Sequence, residues 1–87
     1  MRLCVPEPEA QKIVHQVVDL LKQQREALGW SQRALAARAG LDPKTVNLIE
    51  RKDRSPTLFT LALLSEAMGI QLSKLLEQSE SATGKQS

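Results

Sequence analysis

Cysteine occurs once, at Cys4, so no disulfide can close within the chain, and a reducing compartment suits it. With that single cysteine and a single histidine, His15, no set of residues has metal-ligand spacing. His15 has no acid or nucleophile at a meaningful distance along the chain, which reads as a solvated helix residue. No motif for phosphate cradling or nucleophilic catalysis is present either, so neither an enzyme nor a cofactor is expected. Aromatic residues are almost missing: Trp30 and Phe59 stand alone, tyrosine is absent, and both read as packing residues, as does Cys4. Leu, Ala, Gln, Glu, Lys and Arg dominate instead, a composition that favours helix over strand and predicts an all-α fold. Long apolar runs are lacking as well. The start is broken by Pro6, Glu7, Pro8 and Glu9, which argues against a signal peptide or a membrane span and for the cytoplasm.

A large net charge is also lacking, since 87 residues carry a formal +2. The distribution is more informative than the total. Residues 1–30 hold four basic and four acidic side chains, and residues 55–87 hold two and three. Residues 31–54 hold six basic ones (Arg33, Arg38, Lys44, Arg51, Lys52, Arg54) against three acidic (Asp42, Glu50, Asp53), a local excess of 6 − 3 = +3. A polyanion would dock there, although such a run is equally the mark of an ordinary solvated face. A chain of this length builds one domain with a modest core, stabilised by regular helix packing or by dimerisation.

Along the chain, residues 1–7 read as a flexible leader, 8–78 as one helical domain and 79–87 as a disordered tail, polar, small and without periodicity. Glu7-Pro8-Glu9 suits a first turn, and Ile13, Val14, Val17, Val18, Leu21 and Leu28 then recur at helical spacing up to Gly29. Ser31 is a good N-cap for a second helix over Gln32–Ala39, stopped by Gly40. Asp42-Pro43 opens a third helix through about Arg51. After a polar loop, Ser55-Pro56-Thr57 starts an apolar fourth helix ending at Met68, with Leu58, Leu61, Leu64 and Met68 as its core-facing stripe. A short fifth helix over about Gln71–Gln78 follows.

The informative segment is SQRALAARAGLDPKTVNLIE, residues 31–50. Two short helices flank Gly40, whose left-handed backbone lets the chain reverse within a few residues. Small Ala36 permits close approach at a steep angle, Leu35, Val46 and Ile49 fill the wedge, and Leu41 points back into the core. The pattern is a helix-turn-helix.

Residues 21–76 resemble the phage-repressor and Cro-type helix-turn-helix family. Arg25, Gly29, Ser31-Gln32, Leu35-Ala36, Ala39-Gly40-Leu41, Val46, Ile49-Glu50-Arg51 and Pro56 stand in register with it, and Leu61, Met68-Gly69-Ile70 and Leu75 extend the match. The resemblance implies a compact bundle of about five helices that binds duplex DNA and regulates transcription on the nucleoid. It implies that Gln32, with Ser31 at the helix N-terminus, grips a phosphate. The third helix would lie in the major groove with Lys44, Thr45, Asn47 and Leu48 outward as base readers, and Arg51, Lys52 and Arg54 on phosphates. It further implies that Arg25 and Glu50 form a structural ion pair between helices one and three.

Two positions depart from the family. Pro43 replaces a side chain that often reads bases, and Lys52 replaces a common glycine, leaving the cap of the third helix undefined. On the fourth and fifth helices Phe59 and Leu63, with Leu72 and Leu76, suggest an apolar patch through which two copies form a homodimer. Such a dimer would read a two-fold symmetric operator. The alternative is a helical protein-interaction module, an antitoxin or adaptor paired with a cognate protein, that reuses the same fold. Phage repressors, restriction controllers and antitoxins all occur among small members of the family, and the sequence does not choose among them.

Overall fold

The computed structural model describes residues 9–84, and every regular element among them is a helix. In order these are α1 (Glu9–Ala27), α2 (Gln32–Ala39), α3 (Pro43–Glu50), α4 (Leu58–Ala67) and α5 (Leu72–Gly84). The expected leader, residues 1–7, lies outside the described residues, as do the last three positions of the expected tail. No single described helix is long and apolar enough to cross a membrane.

The helix starts follow local chemistry. Ser31 Oγ accepts from the Ala34 amide at 3.0 Å, Asp42 Oδ1 from the Lys44 amide at 2.9 Å, and Thr57 Oγ1 from the Thr60 amide at 3.1 Å. Each hydroxyl or carboxylate satisfies an amide that has no partner within its helix. Of Ser55 and Thr57, which flank Pro56 before α4, Thr57 is the cap.

The stops share one geometry. After α2, Gly40 takes φ +75° and donates its amide to Ala37 O at 3.4 Å while Leu41 donates to Ala36 O at 2.8 Å. After α3 the same pair of bonds forms around Lys52, which donates to Ile49 O at 2.9 Å while Asp53 donates to Leu48 O at 2.9 Å. Lys52 does this at φ +65°, the one positive φ among the described non-glycine residues. The position where the family resemblance leads one to expect glycine therefore keeps a left-handed backbone when occupied by lysine, at a cost of about 1–2 kcal/mol.

The core is apolar and drawn from all five helices: Val17 and Leu21 of α1, Leu35, Ala36 and Ala39 of α2, Val46 of α3, Leu61, Leu64 and Met68 around α4, and Leu75 of α5. Ala36 is fully buried, and Leu41 packs against this cluster from the turn. The expected wedge of Leu35, Val46 and Ile49 is buried throughout. α1 packs on α5 and α3, α2 on α3 and α4, and α4 on α5.

Three expectations need correction. Leu58 does not join the stripe of α4, being 69% exposed. At about 100° per residue it lies about 60° outside the arc set by Leu61, Leu64 and Met68, and it opens the helix where little covers it. Ser65 takes the place instead, buried with its hydroxyl donated to Leu61 O at 2.9 Å. Leu28 belongs to the turn after α1 and is 40% exposed. The third correction concerns the chain end, where α5 does not stop near Gln78 but continues to Gly84. Ser79 is wholly buried one turn beyond Leu75, whose carbonyl accepts its hydroxyl at 2.8 Å. A small polar residue that satisfies itself on its own helix can thus extend a packed face without any apolar signature.

A Cβ placed at Gly40 meets nothing within 4 Å, so the need for glycine there is purely conformational. Gly40→Ala should destabilise the fold by about 1 kcal/mol through the left-handed backbone alone. Urea unfolding will show the midpoint fall with an unchanged slope; a midpoint equal to the wild type refutes this account of the turn.

Candidate nucleic-acid interface

The geometry of the site begins with a buried ion pair. Arg25 on α1 donates from Nε to Glu50 Oε2 at 2.8 Å and from Nη2 to Glu50 Oε1 at 3.0 Å. The two side chains are 10% and 7% exposed. Arg25 Nη1 also donates to the carbonyl of Trp30 at 2.7 Å, which ties the turn between α1 and α2 to the same guanidinium. A fork of this kind satisfies both carboxylate oxygens and leaves no buried side-chain polar atom unpaired among the described residues.

Glu50 takes a third bond. Gln32, the first residue of α2, donates from Nε2 to Glu50 Oε1 at 2.8 Å, and its own Oε1 accepts from Asn47 Nδ2 at 3.1 Å. The polar seam thus runs Arg25, Glu50, Gln32, Asn47, joining α1, α2 and α3 where the two short helices diverge. Asn47 lies one turn before Glu50 on α3, so the i, i+3 spacing that brings it there is present in the sequence. What the spacing leaves open is whether Asn47 points outward to a base or sideways to Gln32.

Around this seam the sequence-predicted residues divide. Lys44 is exposed, and Thr45 and Leu48 are half-buried on α3 beside it. Ser31 is exposed at the start of α2, its hydroxyl used as the cap. Arg51 and Arg54 are exposed beyond the end of α3, Arg51 within 3.1 Å of Asp53 Oδ2. Lys52 is turned toward α1, where its ammonium meets Asp19 Oδ1 at 2.7 Å. Of the four patch residues, Phe59 is 71% exposed, whereas Leu63, Leu72 and Leu76 are partly buried against the core.

Two further contacts had no signal in the sequence. Arg38 lies over the Trp30 ring, 4.3 Å from its centroid, and Lys52 reaches Asp19 across 33 positions. Both join residues on different elements, which no helical periodicity links. The first sets one cation of residues 31–54 against the α1–α2 turn.

A short helix with an exposed, partly polar outer face, packed on a second short helix across a tight turn, held to α1 by a buried ion pair and bordered by arginines, is the module of a helix-turn-helix protein. Comparison with known proteins agrees. The helix-turn-helix family model matches residues 21–75, more than half of the chain. The chain belongs to the helix-turn-helix family of Cro/C1 type.

Among curated proteins it is similar to the HTH-type transcriptional regulator SutR of Escherichia coli (strain K12), at 35% identity over 63 residues. That alignment takes in 72% of this chain and 35% of the relative, so the chain spans about a third of the relative's length. Among solved structures it resembles a point mutant of the restriction–modification controller protein C.Esp1396I, with a TM-score of 0.75 and 24% identity. The superposition covers 86% of this chain and 97% of that one, and what it shows is the shared fold.

Removing one partner of the buried pair strands the other in low dielectric. Arg25→Met should cost about 3–5 kcal/mol, and adding Glu50→Leu should restore part of that loss because no lone charge is then buried. Thermal unfolding of the single and double variants checks the order; a double variant less stable than the single one contradicts it.

Proposed function

We propose that this chain is a sequence-specific duplex-DNA-binding regulator of transcription, acting as a homodimer in the cytoplasm on a two-fold symmetric operator. The observation that carries the reading is the outer face of α3, with Lys44 exposed at one end and Arg51 and Arg54 at the other, on a helix braced from behind by the Arg25–Glu50 pair. A helix of 8 residues so flanked fits the major groove, where Lys44 would donate to guanine and Leu48 would meet a thymine methyl group. Thr45 lies between them as a further reader. Family membership and the regulator named among the relatives support the same function.

The phosphate contacts come from the ends of the elements. The N-terminus of α2 offers free amides beside Ser31 and Gln32. Arg51 and Arg54 approach the backbone from the far end of α3. Lys52 joins them by leaving Asp19, since an exposed pair of this kind holds it by only about 0–1 kcal/mol.

Dimerisation rests on α4. Leu58 and Phe59 are large apolar side chains at 69% and 71% exposure, adjacent to half-buried Leu63. Burying each would contribute roughly 1.5–3 kcal/mol. A two-fold dimer also presents two α3 helices to successive turns of the groove, about 34–36 Å apart.

Selection from a random duplex pool tests the function: a motif with two-fold symmetry is expected, and a wild type that enriches none moves the assignment to a protein-interaction module. Within that experiment Lys44→Ala should relax one base position at a cost of about 1–3 kcal/mol, whereas Arg54→Ala should weaken all sequences alike. If the dimer neutralises about six phosphates, log K against log salt should fall with a slope near −5, and a flat dependence contradicts the interface. For assembly, sedimentation of the wild type should give a dimer and Phe59→Glu with Leu63→Glu a monomer. A monomeric wild type refutes the dimer, and a variant that remains dimeric refutes this interface.

A further inference from the structure

Glu50 is a carboxylate forked by a guanidinium, and in that state it only accepts hydrogen bonds. Gln32, whose amide would otherwise fit either way round, must therefore aim its nitrogen at Glu50, as the 2.8 Å contact records. Its oxygen is then committed to the opposite side, where it accepts from Asn47 Nδ2 at 3.1 Å. The same logic passes to Asn47: its nitrogen faces Gln32, so its Oδ1 and the second Nδ2 hydrogen are the groups that remain for another partner. Each amide is set by its neighbour, and the series is anchored by Arg25.

From this we infer that the buried pair does more than brace the helices: through Gln32 it sets which way round the Asn47 amide is presented, making Gln32 a positioning residue for base recognition. The inference rests on the DNA-reading function proposed above. Adenine offers N6–H and N7 side by side, a donor beside an acceptor, and an asparagine presenting Oδ1 and one N–H matches that pair, whereas guanine offers two acceptors. With the amide held in one sense, the order of acceptor and donor along the groove is held too. Gln32 Nε2 keeps a second hydrogen for a phosphate, so one side chain links the grip on the backbone to the orientation of a base reader. Pro43, at the first position of α3, has no side-chain donor or acceptor, and of the two α3 residues bonded to Gln32, Glu50 and Asn47, it is Asn47 that keeps a donor and an acceptor for a base.

The two roles of Gln32 separate experimentally. A residue that only grips phosphate affects all sequences equally, whereas a positioning residue alters one column of the selected motif. Random-pool selection is therefore run on the full chain as wild type, Asn47→Ala, Gln32→Met and the double variant. Asn47→Ala is expected to erase an adenine preference at one position per half-site. Gln32→Met, matched in length and without polar atoms, is expected to lower the preference at that same position about tenfold, the size of one good base contact. It should leave the Lys44-dependent position intact, and the double variant should be no less selective there than Asn47→Ala alone.

An Asn47 column unchanged in Gln32→Met overturns the inference while leaving the DNA-binding function standing, and so does a motif insensitive to Asn47→Ala. A wild type that selects no motif overturns both. If Gln32→Met binds too weakly to select, the Asn47 side-chain amide protons in the free protein decide by nuclear magnetic resonance. Their shift and exchange rate should change in the variant, and identical values overturn the inference.

Discussion

Burial of the Glu50 carboxylate constrains this structure more tightly than any single apolar contact. A charge removed from water needs partners at defined angles, and all of Glu50's come from other elements: the Arg25 fork from α1 and the Gln32 amide from α2. Arg25 in turn holds the Trp30 carbonyl, so the turn leading into α2 is placed by the same guanidinium. Apolar packing alone tolerates sliding by fractions of an ångström, since it has no preferred direction. A bidentate pair does not, because its bonds weaken steeply with angle. The relative placement of three helices thus converges on one residue, and the outer face of α3 inherits that rigidity.

The apolar core and the polar seam divide the work along α3. Val46 and Ile49 face inward and supply burial, while Asn47 and Glu50 line the edge against α2, and Lys44 remains in solvent. An 8-residue helix is too short to persist in water by propensity alone, so its existence depends on the surfaces it packs on. Its two ends are nevertheless defined locally, by Asp42 at the start and the left-handed Lys52 at the stop. Lysine at that backbone costs more than glycine would, and the contact with Asp19 returns part of that cost.

The cations of residues 31–54 are not one uniform patch. Arg38 lies over Trp30, Lys52 meets Asp19 and Arg51 lies near Asp53, so the field they create is shaped by these partners. Elsewhere, α4 leaves Leu58 and Phe59 in solvent while it buries Leu61 and Leu64. The two surfaces differ in kind, one polar and cationic, the other apolar and close to a helix start.

The sequence by itself determined the succession of five helices and much of their punctuation. Capping chemistry at Ser31, Asp42 and Thr57 and the glycine at position 40 act within a few residues, so their effects are readable without knowing what lies across the fold. The wedge of Leu35, Val46 and Ile49 was legible for the same reason, because helical periodicity reports which side of a helix is apolar. The pairing of Arg25 with Glu50 was reached through family resemblance, not spacing. Tertiary structure alone decided the rest. Whether Leu58 is covered depends on what lies beside the first turn of α4, and whether α5 continues past Gln78 depends on how Ser79 is enclosed; neither is a local property. The same holds for Asn47 and Gln32, whose amides have two senses each in isolation and are brought to one by a carboxylate and a guanidinium from distant parts of the chain.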